Sequence, residues 1–112
     1  MAETSAIKKF LIVDDSVVER VLFRNLLKRN WPQCEIIEAS DGIEGLQAFE
    51  KEMPDLVLTD LCMPRSGGME LLAALRDKEC LVPVVVMSGI GNEESAVAAL
   101  NAGAASYVPK LQ

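Results

Sequence analysis

Apolar residues along the chain fall into five short blocks, and four longer stretches between them carry apolar residues at three- and four-residue spacing. Phe10-Leu11-Ile12-Val13, Leu56-Val57-Leu58-Thr59 and Pro83-Val84-Val85-Val86-Met87 are almost uninterrupted runs of apolar or β-branched residues. Such runs read as strands buried on both faces, as in the middle of a parallel sheet. Cys34-Glu35-Ile36-Ile37-Glu38-Ala39 alternates only in part and reads as a more exposed strand nearer a sheet edge. Ala105-Ser106-Tyr107-Val108 supplies a fifth strand.

The intervening stretches read as helices. Ser16-Val17-Val18-Glu19 has capping-box spacing, in which a serine oxygen and a glutamate three residues later satisfy orphan N–H groups. Val17, Val18, Val21, Leu22, Leu26 and Leu27 then predict an apolar stripe to about Arg29, and Asn30-Trp31-Pro32 ends the helix. Asp41-Gly42-Ile43-Glu44 repeats the capping spacing, and Ile43, Leu46 and Phe49 predict the core face of a second helix. Arg65-Ser66-Gly67-Gly68 reads as a mobile loop before a third helix, Met69 to Arg76, with Leu71, Leu72 and Leu75 for the core. A fourth helix is expected to open near Asn92, to present an Ala-rich face with Val97 and Leu100, and to stop at Gly103 as the C′ residue.

Strict alternation of strand and helix with short connections predicts an α/β domain: a doubly wound, five-stranded parallel sheet covered by helices on both faces. No helix follows the last strand. An apolar strip on that strand and on part of the first helix is therefore expected to lie uncovered.

With 112 residues the chain is expected to form one domain over residues 1–112. Half the residues are hydrophobic and 4% aromatic, so the core is expected to be Val, Leu, Ile, Ala and Met. A net charge of −6 with scattered basic residues argues against direct nucleic-acid binding. No apolar run reaches membrane-spanning length, and the polar start predicts a cytoplasmic protein. Cys34, Cys62 and Cys80 are odd in number and form no C-x-x-C pair, so reduced thiols are expected. The chain has no histidine, which removes the commonest general base and transition-metal ligand.

The candidate chemistry sits at strand ends. One buried run ends in Asp14-Asp15, another in Asp60 and a third in Ser88, while Lys110 follows the fifth strand. In a parallel sheet these ends share one edge, with neighbouring strands about 4.8 Å apart. Two carboxylates at roughly 4 Å repel by about 4 kcal/mol at an effective dielectric of 20, so a cation is needed. An all-oxygen acidic site without histidine suits magnesium or manganese, with waters and a phosphate oxygen completing the shell. Lys110 and the Ser88 hydroxyl would donate to the remaining oxygens of such a phosphate.

These residues resemble a response-regulator receiver domain of two-component signalling, of the chemotaxis-regulator kind. The resemblance runs through Phe10-Leu11-Ile12-Val13-Asp14-Asp15, Asp41-Gly42, Asp60-Leu61-Cys62-Met63-Pro64, Gly68, Ser88-Gly89, Ala102-Gly103-Ala104, Tyr107 and Lys110. It implies the flavodoxin-like strand order 2-1-3-4-5, lacking here the family's final helix. It implies Asp60 as acceptor of a phosphoryl group from a histidine kinase or histidine phosphotransfer protein. Asp15 is implied as a direct magnesium ligand, Asp14 as one acting through water, and the backbone carbonyl of Cys62 as a further ligand. Ser88 and Lys110 are implied to contact the phosphoryl oxygens, and Tyr107 to swing inward with Ser88. The expected output is a shift in how the fourth helix and fifth strand meet partners, a signalling switch rather than an enzyme.

The chain departs from the family in two places. Pro109 precedes Lys110 and Leu111 follows it, whereas the family places a proline after the lysine. The missing last helix suggests a piece of a longer response regulator whose effector follows Gln112, and the uncovered strip is expected to allow a homodimer.

A haloacid-dehalogenase-like phosphatase needs a second acid where Cys62 stands, and a flavodoxin needs a phosphate loop where Asp14-Asp15 would repel the ligand. The rival that survives is a degenerate receiver acting as an unphosphorylated interaction module, whose site would normally be damaged.

Overall fold

A computed structural model describes residues 8–63, 66–78, 80–89 and 93–110. In chain order the elements are β1 Lys9–Val13, α1 Val17–Asn30, β2 Glu35–Ala39, α2 Gly42–Glu52, β3 Leu56–Asp60, α3 Gly68–Asp77, β4 Val84–Ser88, α4 Glu93–Asn101 and β5 Ser106–Pro109. The strands form one parallel sheet in the order β2-β1-β3-β4-β5. This is the doubly wound, flavodoxin-like arrangement. The continuous apolar blocks became β1, β3 and β4 in the centre, and the partly alternating block became the edge strand β2.

Alternation along the strands divides the interior in two. Leu11 and Val13 of β1, Val57 of β3, and Val84 and Val86 of β4 join Leu71, Leu72 and Leu75 of α3 and Ala99 of α4 in one cluster. Phe10, Ile12, Leu58 and Met87 alternate to the opposite side, where the Phe10 and Trp31 rings meet at 5.6 Å. Burying each of the Val, Leu, Ile, Phe and Met side chains among these contributes about 1.5–3 kcal/mol.

Three helix faces differ from the periodicity reading. On α1 no residue is fully buried; Val17, Val18, Val21, Leu22 and Leu26 are exposed, and Phe23 and Leu27 are half-buried. The period marks a real apolar stripe, but among the described residues nothing covers most of it. Val108 of β5 is exposed beside it, so the expected uncovered strip is present. Together Leu22, Phe23, Leu26, Val108 and Pro109 line a groove of about 320 Å³ that ends at Glu19 and Lys110. On α2, Leu46 and Phe49 pack on the core but Ile43 is exposed. On α4, Ala96 and Ala99 are buried while Val97 and Leu100 face out. Small residues let this helix lie close to β4, leaving its larger side chains outside.

The helix ends follow local chemistry. Ser16 and Asp41 accept hydrogen bonds from the N–H groups of Glu19 and Glu44. Asn92, expected to cap α4, lies outside the described residues, as do Pro64 and Arg65. Gly103 takes a positive φ of 113° beyond α4, as a C′ residue should. Gly67 and Gly68, read as loop, instead cap and open α3. A Cβ on Gly68 would come within 2.4 Å of the Asp60 carbonyl oxygen, so only glycine lets α3 start this close to the end of β3.

Candidate functional site

Parallel strands of matched length bring their carboxyl ends together, and the acids follow. Asp14 directly succeeds β1 and is fully buried. Its N–H donates to the Ala39 carbonyl at 3.0 Å and its Oδ1 accepts from the Ser16 N–H at 2.9 Å. Asp15 beside it is exposed. Asp60, the last residue of β3, is buried, and the Cys62 N–H lies 3.4 Å from its Oδ1. One carboxylate oxygen from each of Asp14, Asp15 and Asp60 lies within 4.8 Å of the others.

Ser88 ends β4, is buried, and has its Oγ 3.4 Å from the Gly89 carbonyl. Lys110 follows β5, and its N–H donates to the Ser88 carbonyl at 2.8 Å. Pro109 pairs with Ser88 in the sheet register, at the end of an edge strand where a missing N–H is tolerated. The departure from the family pattern therefore leaves Lys110 at the sheet edge. Its Nζ stands 3.1 Å from Asp14 Oδ2 and 3.1 Å from Asp60 Oδ2, with a third ion pair to Glu19. Tyr107 lies half-buried against the main core cluster, and Cys62 is exposed.

The structure thus brings together Asp14, Asp15, Asp60 and Lys110, and sets Ser88 on the strand between β3 and β5. It also adds a residue the sequence reading assigned elsewhere. Glu19 was expected to close the α1 capping box on the Ser16 N–H; instead Asp14 accepts from that N–H and the Glu19 carboxylate turns to Lys110. No local signal marked this role, because the partner that draws Glu19 into the site, Lys110, lies 91 residues away in the chain. Arg20 also reaches the site's frame, donating to the Asp14 carbonyl and, at 3.0 Å, to Glu38.

Electrostatics reflect this crowding. Burial pushes the Asp14 carboxyl up to about 6, against the Ser16 N–H and the Lys110 ammonium that favour its ionised form. Burial likewise raises Asp60, with Lys110 opposing. Burial works to depress Lys110, but hydrogen bonds to Glu19, Asp60 and Asp14 outweigh it and leave the ammonium above the ordinary lysine range. Glu19 is lowered by its bond to Lys110. Four carboxylates around one ammonium leave an excess of negative charge. Three of them offer hard oxygen donors close enough to share one divalent cation, so the residues fit magnesium or manganese better than a thiophilic metal.

Fold and site together define a doubly wound α/β domain with an acidic, lysine-countered pocket at the carboxyl edge of its sheet. Residues 10–112 match the response regulator receiver domain, and the chain belongs to that family. It is 32% identical over 103 residues to the chemotaxis protein CheY of Listeria monocytogenes, covering 91% of this chain and 85% of that protein. It is 34% identical over 103 residues to the alkaline phosphatase synthesis transcriptional regulatory protein PhoP of Bacillus subtilis, covering 92% of this chain but 42% of the relative. Among solved structures, the receiver domain of NtrX from Brucella abortus superposes with a TM-score of 0.84 at 33% identity, covering 92% of this chain and 86% of that one. The chain is thus a receiver module of two-component signal transduction, the phosphoryl-accepting class of switch. Among the described residues no helix is long and apolar enough to cross a membrane.

Proposed function

We propose that Asp60 is the phosphoryl acceptor and that it takes the group from a phosphohistidine on a partner kinase or phosphotransfer protein. The observation that carries this reading is the convergence of Asp14, Asp15 and Asp60 with Lys110 paired to Asp60 at 3.1 Å. An Asp60 carboxylate oxygen attacks phosphorus, and the phosphorus–nitrogen bond of the donor breaks. The electron pair stays on the imidazole, which takes a proton from solvent. Asp14, Asp15, Asp60 and the Cys62 carbonyl would hold magnesium or manganese, whose charge offsets that of the transferring phosphoryl oxygens. Positioning and charge neutralisation suffice for this reaction, because its transition state is loose.

Lys110 then pairs with one phosphoryl oxygen and the Ser88 hydroxyl donates to another. Tyr107 follows Ser88 inward, which alters the α4–β5 surface offered to an effector domain or protein. Water later attacks phosphorus, the bond to Asp60 breaks, and inorganic phosphate leaves a regenerated carboxylate. The test is incubation with acetyl phosphate and magnesium followed by intact-mass measurement. One phosphoryl adduct is expected on the wild type and none on Asp60→Asn; an unlabelled wild type would support an unphosphorylated interaction module instead.

A further inference from the structure

Lys110 has three carboxylate partners, and they are not equivalent. Asp60 is the proposed acceptor and Asp14 a proposed cation ligand, so both have other duties once the site is loaded. Glu19 has none. It projects from the first turn of α1, its side chain is about one-third exposed, and its ion pair with Lys110 closes the pocket on the side of the apolar groove. The Lys110 side chain is only 13% exposed, so its ammonium has little water to fall back on and must be held by one anion or another.

We propose that Glu19 is a positioning residue that competes with the incoming phosphoryl group for Lys110 and so restrains phosphorylation of Asp60. The inference rests on the receiver reading above. Before transfer, the Glu19 carboxylate holds the ammonium and adds a negative charge facing a dianionic donor. To be gripped by Lys110, a donor phosphate must displace that carboxylate. Removing the charge at position 19 leaves Lys110 free for the phosphoryl oxygen of the incoming donor. Partly exposed ion pairs are worth a few-fold in an equilibrium, which sets the expected scale.

The experiment follows adduct formation by intact mass across acetyl phosphate concentrations, with magnesium held constant. For Glu19→Gln the half-saturating donor concentration should fall about two- to fivefold. Maximal rate should change less. In a Lys110→Ala background the same substitution should have almost no effect, because the competition is for the ammonium. An unchanged or raised half-saturation in Glu19→Gln overturns the proposal, as does an effect that survives intact without Lys110, which would mark simple repulsion of the donor. Glu19→Asp, too short to hold Lys110 in the same way, should fall between wild type and Glu19→Gln; full wild-type behaviour there would also count against it. Absence of any adduct on the wild type would instead remove the receiver reading itself, so the two failures are distinguishable.

Discussion

The pocket at the sheet edge and the flank formed by α1 and β5 invert the usual placement of side chains in opposite ways. In the pocket Asp14, Asp60 and Ser88 are buried. On the flank Val17, Val18, Leu22, Leu26 and Val108 are exposed. The two meet at Glu19 and Lys110, which line the end of the groove and also belong to the pocket. Burying like charges opposes folding, and leaving apolar surface wet forgoes a gain. Each region therefore spends stability that a protein built only to fold would keep, and the contrast predicts that substitutions in them depart from ordinary core behaviour.

The largest structural effect should come from Gly68→Ala. Its Cβ would press on the Asp60 carbonyl, where only backbone movement gives relief, so a loss of about 1–3 kcal/mol in urea unfolding is expected together with slower labelling of Asp60. Asp14→Asn should act in the other direction. Removing a buried charge whose carboxyl is held near 6 instead of 3.8 should stabilise the cation-free domain by about 1–3 kcal/mol at pH 7, read as a raised Tm, while weakening magnesium binding in calorimetry. A destabilised Asp14→Asn would show that its hydrogen bonds outweigh the cost of burial.

The same carboxyl sets a pH dependence. Between about 4 and 6 the folded state keeps a proton on Asp14 that the unfolded chain has lost, so this group's contribution to stability grows as pH falls through 6 and levels off below 4. Magnesium requires the ionised form, so its affinity should move the opposite way and weaken as pH drops from 7 to 5. On the flank, Leu22→Glu should change stability by no more than about 0.5 kcal/mol, because the side chain is already exposed. Light scattering at rising concentration should show self-association of the wild type and its loss in Leu22→Glu; a wild type that stays monomeric would leave the flank without that role.

Much of this architecture was legible in the sequence because central parallel strands have no polar face. Val84-Val85-Val86-Met87 can hardly be anything else, and a run that ends in Asp60 announces an edge where ligands gather. Helix faces were less legible. Periodicity locates the stripe Val18, Leu22, Leu26 but says nothing of what lies against it, and on α4 it favours large residues where close packing selected Ala96 and Ala99. Glu19 was hidden by ambiguity of a different kind. Its spacing from Ser16 satisfies a capping rule, and only the position of Lys110, 91 residues away, draws its carboxylate elsewhere. Gly68 read as a flexible loop because the reason for the glycine is the approach of another segment.

The most direct test of the account is the site of phosphoryl attachment. After incubation with acetyl phosphate and magnesium, intact mass and peptide mapping should place one labile phosphoryl group on Asp60, and Asp60→Asn should remain unmodified under the same conditions. Modification of Asp60→Asn to the wild-type extent, or a wild type that takes no label, would contradict it.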